Sequence, residues 1–436
     1  MAKSRKDLHP QAVASARAVA RDLLDQVLRK YRTLDEASGL VRGFADLEPR
    51  DRAFARLLAA SVLRRRGSLD GVLAKCLDKG APPQPVETIL RLGAAQLLLL
   101  DTPDHAAVGE TVALCGRREA SLKGLVNAVL RRVARDGKAM LAGLDAARLD
   151  TPPWLWHVLS TAHGETVARA VAAVHASEPP LDLSARADAE GWAAKLGARL
   201  LPNGSLRLAD GGSVADLPGF AEGAWWVQDA AAALPARLLG DVSGKDVLDL
   251  CAAPGGKTLQ LAAAGARVVA VDQSAARLGR LRENLARTGL TAACVAADVA
   301  VWKPEAPVGH VLLDAPCTAS GTLRRHPEIA YLKSPADADK LVGVQDRLLD
   351  AAAAMTAPGG TLVYAVCSLD PREGRSRVAA FLARDKAFAR RKVDPAEIGG
   401  DAALVSGDGD LVTLPCHWAE AGGMDGFYAA RLVRRA

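Results

Sequence analysis

Two cysteines in this sequence have neighbours that suit them for covalent chemistry. Cys317 ends the run DAPC at residues 314–317, and Cys367 directly follows an apolar run that ends at Val366. A thiolate that adds to carbon 6 of a pyrimidine converts the ring into an enamine, whose carbon 5 can attack an electrophilic methyl group. The charge that develops at ring nitrogen 3 needs a hydrogen-bonding carboxyl, which Asp314 would supply. These residue types fit methylation of a cytosine base.

The residues alone leave open which thiol is the nucleophile. Cys367 is followed by residues 370–373, DPRE, a pattern typical of a helix N-cap, a proline at the first helical position and a capping-box acid. A thiol near a helix start has its pKa lowered from about 8.5 to roughly 3.5–7.5. We therefore predict an activated thiol at Cys367. The proton on carbon 5 must leave before the cysteine is eliminated, and Cys317 is the candidate for assisting that step.

A loop of small residues precedes both cysteines in the chain. Residues 249–258, DLCAAPGGKT, contain two glycines, which let backbone approach a ligand closely before a helix begins. Asp272 and Asp298 end the next two predicted strands, and a carboxylate in the first of these places binds ribose hydroxyls in dinucleotide-type folds. A single Asp at a strand end is commonly a helix N-cap. The series 249, 272, 298 and 314 instead predicts a pocket for an adenosine.

The same loop also imitates a phosphate-binding P-loop. Its end, Gly256-Lys257-Thr258, matches that motif, and the apolar run before Asp314 imitates the strand and acid that hold magnesium. Cys251 stands where the first P-loop glycine is expected, and its Cβ disfavours the left-handed conformations that glycine permits. The missing glycine counts against nucleotide hydrolysis, which is kept as an alternative. Its signature would be magnesium-dependent ATP binding that is lost in Lys257→Ala.

The elements that position these residues are short apolar runs alternating with helical segments. The runs lie at residues 247–250, 268–271, 293–296, 311–313 and 361–366. This alternation predicts a parallel, doubly wound sheet with both faces covered, in which ligands bind beyond the carboxyl ends of the strands. Every motif above falls at such an end.

Two further regions precede this sheet. From residue 10 to about 135, apolar residues recur at helical spacing, and breaks at Gly67-Ser68, residues 82–85 and Pro103 predict an all-α bundle. Turn signals at Asn203-Gly204 and Gly211-Gly212 separate short alternating segments, which predicts a small α+β connector. We expect three domains, at residues 1–140, 141–233 and 234–436.

The basic residues concentrate at the front of the chain. Residues 1–140 carry 25 Lys and Arg against 16 Asp and Glu, a net charge of +9, whereas the remainder carries 31 against 34, a net charge of −3. A basic module suggests a polyanion partner, and an ordinary solvated helical surface is the alternative. We predict that two basic clusters line one face: Arg64, Arg65 and Arg66, and Arg117, Arg118, Lys123, Arg131 and Arg132.

Composition excludes several classes of protein. Half of the residues are apolar and 24% are charged, which excludes disorder as the main state. No run approaches the roughly 20 apolar residues that span a bilayer, and residues 1–11 are polar and basic, so we expect a cytoplasmic protein. Seven cysteines without a CxxC pair argue against a disulfide scaffold and a zinc site. Cys76 and Cys294 are expected to be inert core residues.

Together these motifs resemble the Sun/Fmu/Nop family of RNA cytosine-5 methyltransferases. The resemblance rests on residues 249–258, on residues 314–328, DAPCTASGTLRRHPE, on Val366-Cys367-Ser368 and on residues 423–427, GMDGF. The front is similar to the NusB-like RNA-binding domain of the branch that acts on small-subunit ribosomal RNA. That similarity lies in three segments: residues 51–56, DRAFAR, residues 105–110, HAAVGE, and residues 127–132, NAVLRR.

The resemblance implies a Rossmann-like class I domain that binds S-adenosylmethionine, and a ribosomal RNA partner. We also expect a monomer without a metal. It implies that Cys367 is the nucleophile and that Cys317 assists product release, although DNA cytosine methyltransferases use a Pro-Cys cysteine as nucleophile. Val366 and residues 318–320 depart slightly from the family pattern, which concerns target choice. The cofactor residues implied are Cys251, Ala252, Ala253, Pro254, Gly255, Gly256, Lys257, Asp272, Arg277, Asp298 and Asp314.

Some residues have two readings. Three that follow the Cys317 loop are expected to contact RNA phosphates near an extruded base, with a solvated loop as the alternative: Arg324, Arg325 and His326. Trp225 and Trp226 would either pack between domains or stack on a base. Asp425 and Phe427 are expected to close the active-site wall.

Two other functions remain open at this point. A non-catalytic RNA-binding factor, similar to an antiterminator at its front, would carry a relic fold that binds no S-adenosylmethionine. The intact series of acids and the two cysteines count against it. Transfer RNA is the alternative substrate within the enzyme class.

Overall fold

The computed structural model describes residues 15–209 and 212–436, which form two compact units. The first unit contains the described residues up to Pro152 together with His326–Leu332, and the second contains the rest. Three sequence predictions fall on positions outside the described residues: the polar start at 1–11, the beginning of the helical region at 10, and Gly211 of the Gly211-Gly212 turn. The division into three domains stays a prediction.

The first unit is helical, as predicted. Its apolar stripes form the core: Leu23, Leu24 and Val27 of the first helix are fully buried. That helix begins after Ser15, whose Oγ accepts a hydrogen bond from Ala18 N at 3.2 Å. The helices are α1 (Ala16–Lys30), α2 (Leu34–Leu40), α3 (Pro49–Arg64), α4 (Arg66–Cys76), α5 (Gln84–Leu98), α6 (Asp104–Ala113), α7 (Lys123–Ala142), α8 (Ala146–Asp150) and, from the later segment, α15 (Ile329–Leu332).

The segment His326–Leu332 joins the helical core through specific contacts. Tyr331 donates its hydroxyl hydrogen to Leu63 O at 2.7 Å, and Leu34 N donates to Glu328 Oε1 at 3.2 Å. The Arg66 guanidinium lies 5.1 Å from the centre of the Tyr331 ring. A piece of chain nearly 300 residues away in sequence is thus part of this unit.

The second unit begins with helices α9 (Pro153–His163) and α10 (Glu165–His175) and a small antiparallel sheet in the order β2-β3-β1-β4. The strands are β1 (Leu181–Ala185), β2 (Arg199–Leu200), β3 (Leu206–Leu208) and β4 (Trp225–Val227), and α11 (Ala189–Leu196) follows β1. The predicted turn at Asn203-Gly204 joins β2 to β3, and Gly204 has φ of 77°. The predicted α+β texture is confirmed.

The larger sheet has the order β10-β12-β9-β8-β5-β6-β7, with β11 paired to β12. Its strands are β5 (Asp246–Leu250), β6 (Arg267–Asp272), β7 (Ala293–Ala296), β8 (Val308–Asp314), β9 (Thr356–Val366), β10 (Phe388–Arg390), β11 (Leu411–Thr413) and β12 (Phe427–Arg434). The accompanying helices are α12 (Leu234–Arg237), α13 (Gly256–Ala263), α14 (Ala275–Thr288), α16 (Pro335–Met355) and α17 (Arg375–Arg384).

Strands β5 to β9 are mutually parallel, which confirms the doubly wound prediction for those five. The last three strands pair antiparallel, so the sheet is mixed. Side chains of β8 alternate between two cores, with Leu312 in one and Val311 and Leu313 in the other, because both faces of the sheet are covered. The chain moves from β5 outward to β7 and then returns to β8 on the other side of β5. The ligand crevice is therefore expected beside the carboxyl ends of β5 and β8.

Candidate active site

The loop after β5 holds Cys251 in the left-handed region, with φ of 61°. Cys251 thus adopts the conformation that its Cβ is expected to disfavour. A non-glycine residue there costs on the order of 1–3 kcal/mol and persists where the surroundings enforce it, often at functional sites. Gly255 has φ of 109°, and a Cβ there would lie 2.2 Å from Leu281 Cδ1. The loop thus requires glycine at 255 and tolerates cysteine at 251.

A cavity of about 380 Å³ lies beside this loop. Four of the predicted cofactor residues line it: Cys251, Asp272, Arg277 and Asp298. The walls also include residues that sequence reasoning missed: Gln273, Val299, Ala300, Pro316, Leu341, Val344, Arg347 and Leu348. The positions 341, 344 and 348 share one face of α16, a helical spacing that could have revealed them. Carboxylates beside an apolar wall fit a nucleoside, and the volume lies within the range of small-molecule sites.

Asp272 and Arg277 fix the backbone of the loop. Asp272 Oδ2 accepts a hydrogen bond from Ala253 N at 3.1 Å, and its Oδ1 accepts one from Ser274 N at 2.8 Å. Arg277 donates to Ala253 O and lies 3.7 Å from Asp272. Asp298 accepts from Ala300 N at 2.9 Å. These acids therefore support the local backbone as well as facing the cavity. Neither is a helix N-cap, since Ser274 caps α14 and no helix begins between Asp298 and β8, so the N-cap alternative is wrong for both.

The remaining predicted loop residues are not among the cavity walls. Ala252, Ala253, Pro254, Gly255 and Gly256 shape the backbone between β5 and α13. Lys257 instead points to another predicted acid: its Nζ donates to Asp314 Oδ2 at 2.8 Å. Burial lowers the pKa of Lys257, but the Asp314 carboxylate outweighs burial and raises it. The charged ammonium thus holds the carboxylate of Asp314 in place.

Phe427 lies beside this ion pair. The Lys257 Nζ is 5.0 Å from the centre of the Phe427 ring, a cation–π distance. Phe427 thus contacts the lysine that pairs with Asp314, and its place in the active-site wall stays a prediction.

The two cysteine thiols meet. The Sγ atoms of Cys317 and Cys367 lie 3.4 Å apart, although the residues follow different strands, β8 and β9. The hydrogen bond with Cys367 and burial raise the pKa of Cys317 well above its usual value. Cys317 is therefore a protonated thiol at neutral pH, facing its partner sulfur.

The helix expected near Cys367 begins later than predicted. Helix α17 starts at Arg375, and residues 371–374 form a turn. Asp370 accepts from Arg372 N at 2.9 Å, but Glu373 makes no capping box and turns inward. The predicted helix start with an N-cap at Asp370 and a capping box at Glu373 is therefore wrong, because Gly374 is the N-cap of α17.

Asp249 lies under the loop and is fully buried. Its Oδ2 accepts a hydrogen bond from Thr258 Oγ1 at 2.6 Å. Burial raises its pKa to about 7 despite this bond. Asp249 therefore ties β5 to the first turn of α13 rather than facing the cavity.

The two arginines after the Cys317 loop form ion pairs with buried carboxylates. Arg324 is fully buried, and its Nε donates to Asp425 Oδ1 at 2.7 Å while its Nη2 donates to Asp229. Arg325 donates to Asp229 as well. Burial, with the nearby Asp229, raises the pKa of Asp425 to about 6. The expected phosphate contact of Arg324 is wrong, because its guanidinium is fully buried in an internal ion cluster. Arg325 joins the same cluster but keeps 18% of its side chain exposed, and its phosphate contact stays a prediction.

Three further predictions can be placed. His326 belongs to the first unit, where its Nδ1 lies 3.6 Å from Glu328. Trp225 and Trp226 are buried, and their Nε1 atoms donate to Pro218 O and Gln228 Oε1 respectively. Both rings therefore pack inside the protein, and the alternative that they stack on a base is wrong. Asp425 is only 3% exposed and belongs to the ion cluster rather than to an exposed wall.

The basic clusters of the first unit differ in exposure. Arg65 is paired with Asp150 at 2.7 Å, and Arg66 lies over Tyr331, so these two do not form a free basic face. The second cluster is more open: Arg117, Arg118, Lys123 and Arg131 are exposed, and Arg132 is half-buried.

In the described part of the chain, no three His, Cys, Asp or Glu side chains come together as a metal site would require. None of the helices between residues 15 and 436 that the structure describes is long and apolar enough to cross a bilayer.

Comparison with known proteins identifies the family. The model for the 16S rRNA methyltransferase RsmB/F family matches residues 236–433, and the NusB family model matches residues 14–135. Ribosomal RNA small subunit methyltransferase B from Pseudomonas putida is 38% identical, over 97% of this chain and 98% of its own. The chain belongs to the RsmB/F methyltransferase family. The resemblance drawn from the motifs is thus confirmed.

Solved structures support the fold of this RsmB/F family member. The crystal structure of PH0851 has a TM-score of 0.70 at 20% identity, covering 97% of this chain and 99% of its own. NSun6 from Pyrococcus horikoshii, crystallised with SFG, has a TM-score of 0.55 at 17% identity, covering 65% of this chain and 98% of its own.

Proposed function

We propose that this protein transfers a methyl group from S-adenosylmethionine to carbon 5 of a cytosine in 16S ribosomal RNA. The observation that carries the proposal is the contact of two thiols, 3.4 Å apart, beyond strands β8 and β9 of a methyltransferase sheet. The relatives named ribosomal RNA small subunit methyltransferase B support the choice of RNA.

The chain's own residues divide the reaction between them. Cys367 adds through sulfur to carbon 6, and its thiol proton passes through the carboxylate of Asp314, held by Lys257 at 2.8 Å, to ring nitrogen 3. The cavity lined by Asp272 would hold S-adenosylmethionine, which would supply the electrophilic methyl. Cys317 then gives its thiol proton to the leaving Cys367 sulfur, 3.4 Å away, and takes the carbon-5 proton in its place as the carbon–sulfur bond breaks. The proton on ring nitrogen 3 leaves through Asp314 to solvent. The raised pKa of Cys317 supports this division, because a protonated thiol does not compete as nucleophile.

The cofactor set that we propose keeps all the loop and strand-end residues. Cys251, Asp272, Arg277 and Asp298 would face the cofactor directly, since they line the cavity. The loop backbone at residues 252–256 would approach it closely, and Lys257 and Asp314 would act on the base side. We propose no metal in this site.

The helical first unit is proposed to bind RNA through phosphates. Its exposed cations Arg117, Arg118, Lys123 and Arg131 would neutralise phosphates and release counterions. We further propose a cytoplasmic monomer with functional domains at 1–140, 141–233 and 234–436.

Bisulfite sequencing of total RNA tests the proposal. A strain that lacks this protein should lose one unconverted cytosine in 16S rRNA, and the wild-type gene should restore it, whereas Cys367→Ala should not. Purified protein should also incorporate labelled methyl into ribosomal RNA. The proposal would be contradicted if the strain lost a protected cytosine in transfer RNA instead, or lost no protected cytosine in any RNA.

A further inference from the structure

A buried carboxylate lies beneath the two cysteines. Glu373 has no exposed surface, and its Oε1 accepts hydrogen bonds from Thr318 N at 2.9 Å and from Gln345 Nε2 at 3.0 Å. Its Oε2 accepts from the hydroxyls of Thr318 and Ser368, each at 2.5 Å. All four of these donors are supplied by buried residues, and charge-assisted bonds of this kind are the stronger ones.

These donors adjoin the reactive residues. Thr318 directly follows Cys317, and Ser368 directly follows Cys367. The last pair in the ladder of β8 and β9 is Asp314 with Ala365, so both thiols lie beyond the strands' mutual hydrogen bonds. The carboxylate thus joins two loops at the point where the ladder has ended.

Glu373 is itself anchored on the sheet. Tyr364 of β9 donates its hydroxyl hydrogen to Glu373 O at 2.6 Å. Gln345 of α16 donates to Pro316 O at 3.0 Å as well as to the carboxylate, which adds a second link to the Cys317 loop. The backbone of Glu373 is therefore held to β9, and its carboxylate is held to α16.

We propose that Glu373 is the positioning residue that holds the Cys317 and Cys367 thiols in contact, so that adduct formation and product release act on the same base. The proposal deepens the proposed function and rests on it. Glu373 touches neither base nor cofactor in this scheme, and it acts through Thr318 and Ser368. Its charge also contributes, after the Cys367 bond and burial, to the raised pKa of Cys317.

The test compares Glu373→Ala with Glu373→Gln. The amide oxygen of Gln can accept from Thr318 N and Gln345, and the two hydroxyls can rotate to accept from its NH₂ group, so Gln keeps the links without the charge. Alanine removes them all. A misplacement of about 1 Å costs about 100-fold in rate, so we expect Glu373→Ala to lower kcat about 100-fold. Glu373→Gln should restore most of it, with KM for RNA unchanged in both.

Disulfide formation provides a readout that does not depend on methyl transfer. Diamide, an azo oxidant, takes the two thiol hydrogens and becomes the hydrazine while a Cys317–Cys367 bond forms, which mass spectrometry of the linked peptides detects. The wild type and Glu373→Gln should oxidise quickly, and Glu373→Ala slowly. Asp410→Asn is the matched control, since Asp410 is another buried carboxylate that bonds Tyr428 Oη at 2.6 Å and neither cysteine loop.

Wild-type oxidation and turnover in Glu373→Ala would overturn the proposal. If Glu373→Ala does not fold, the double variant Thr318→Val with Ser368→Ala removes the hydroxyl links to both loops. An unchanged oxidation rate in that double variant would also overturn the proposal. A wild-type protein that forms the disulfide quickly but methylates no RNA would defeat the proposed function alone.

Discussion

At the scale of single residues, the two thiols have different environments. Sequence reasoning identifies both cysteines as reactive candidates. It does not show which is the nucleophile and which assists release, because each follows a predicted strand. The structure adds that Cys317 has a raised pKa caused by its bond to Cys367 and by burial. A sequence pattern cannot reveal this, because the partner sulfur lies 50 positions away.

Replacing each thiol should give opposite outcomes. Cys367→Ala should abolish methyl transfer, because no sulfur adds to carbon 6. Cys317→Ala should let the adduct form but not resolve, leaving a protein–RNA complex that survives denaturing gels. Cys294→Ser, on the edge strand β7, is the control and should behave as wild type. Exchanged phenotypes would mean that the thiol roles are reversed.

Asp249 should make stability depend on pH. Burial raises its pKa from about 3.9 in an unfolded chain to about 7 in the folded protein. Its contribution to stability is therefore fully present below about pH 4 and is lost as pH rises through about 7. Asp249→Asn, which can still accept from Thr258, should gain stability relative to wild type between pH 5 and pH 8.

Urea unfolding at those two pH values measures this difference. The free energy of unfolding of the variant minus that of the wild type should become more positive at the higher pH. Asp246→Asn is a surface control from the same strand. A difference that stays constant with pH would show that Asp249 is charged throughout.

At the scale of elements, periodicity predicts the five parallel strands because each is a short apolar run between helices. It misses β10 and β11, which have three residues each, and it misses the longer strand β12, with which both pair antiparallel. The start of α17 is predicted too early for a different reason. The letters DPRE satisfy a capping pattern, but buried hydroxyls at Thr318 and Ser368 compete for Glu373.

The loop between β5 and α13 should be intolerant at Gly255. Gly255→Ala places a Cβ 2.2 Å from Leu281 Cδ1 at φ of 109°, so the backbone of the loop must shift. We expect S-adenosylmethionine affinity to fall at least about tenfold, or 1.4 kcal/mol, by calorimetry. Gly279→Ala on α14 meets nothing within 4 Å and should bind normally, with slightly higher stability. Equal affinities in the two variants would contradict this account.

At the scale of the whole molecule, charge divides the chain. The basic excess belongs to residues 1–140, as counted from the sequence. The sequence does not show which cations are free of ion pairs. Arg65 pairs with Asp150, and Arg324 pairs with Asp229 and Asp425, only in the folded protein. The exposed residues Arg117 and Arg118 remain available for phosphates.

Removing those two charges should weaken RNA binding through electrostatics. Arg117→Gln with Arg118→Gln should lower affinity for 16S rRNA and make the plot of log K against log salt shallower by about 1.4–1.8, two phosphate contacts' worth. S-adenosylmethionine affinity should stay the same. A control pair, Arg384→Gln with Lys386→Gln in the second unit, should leave the slope unchanged. Equal slopes for all three proteins would place the RNA elsewhere.

The segment His326–Leu332 constrains how this enzyme can be taken apart. A recombinant fragment that stops at Pro152 would leave Leu63 O without Tyr331 and Leu34 N without Glu328. The complementary fragment would carry that stretch with its apolar side uncovered. A chimera that exchanges the helical unit for one from another protein must therefore transplant both stretches of chain.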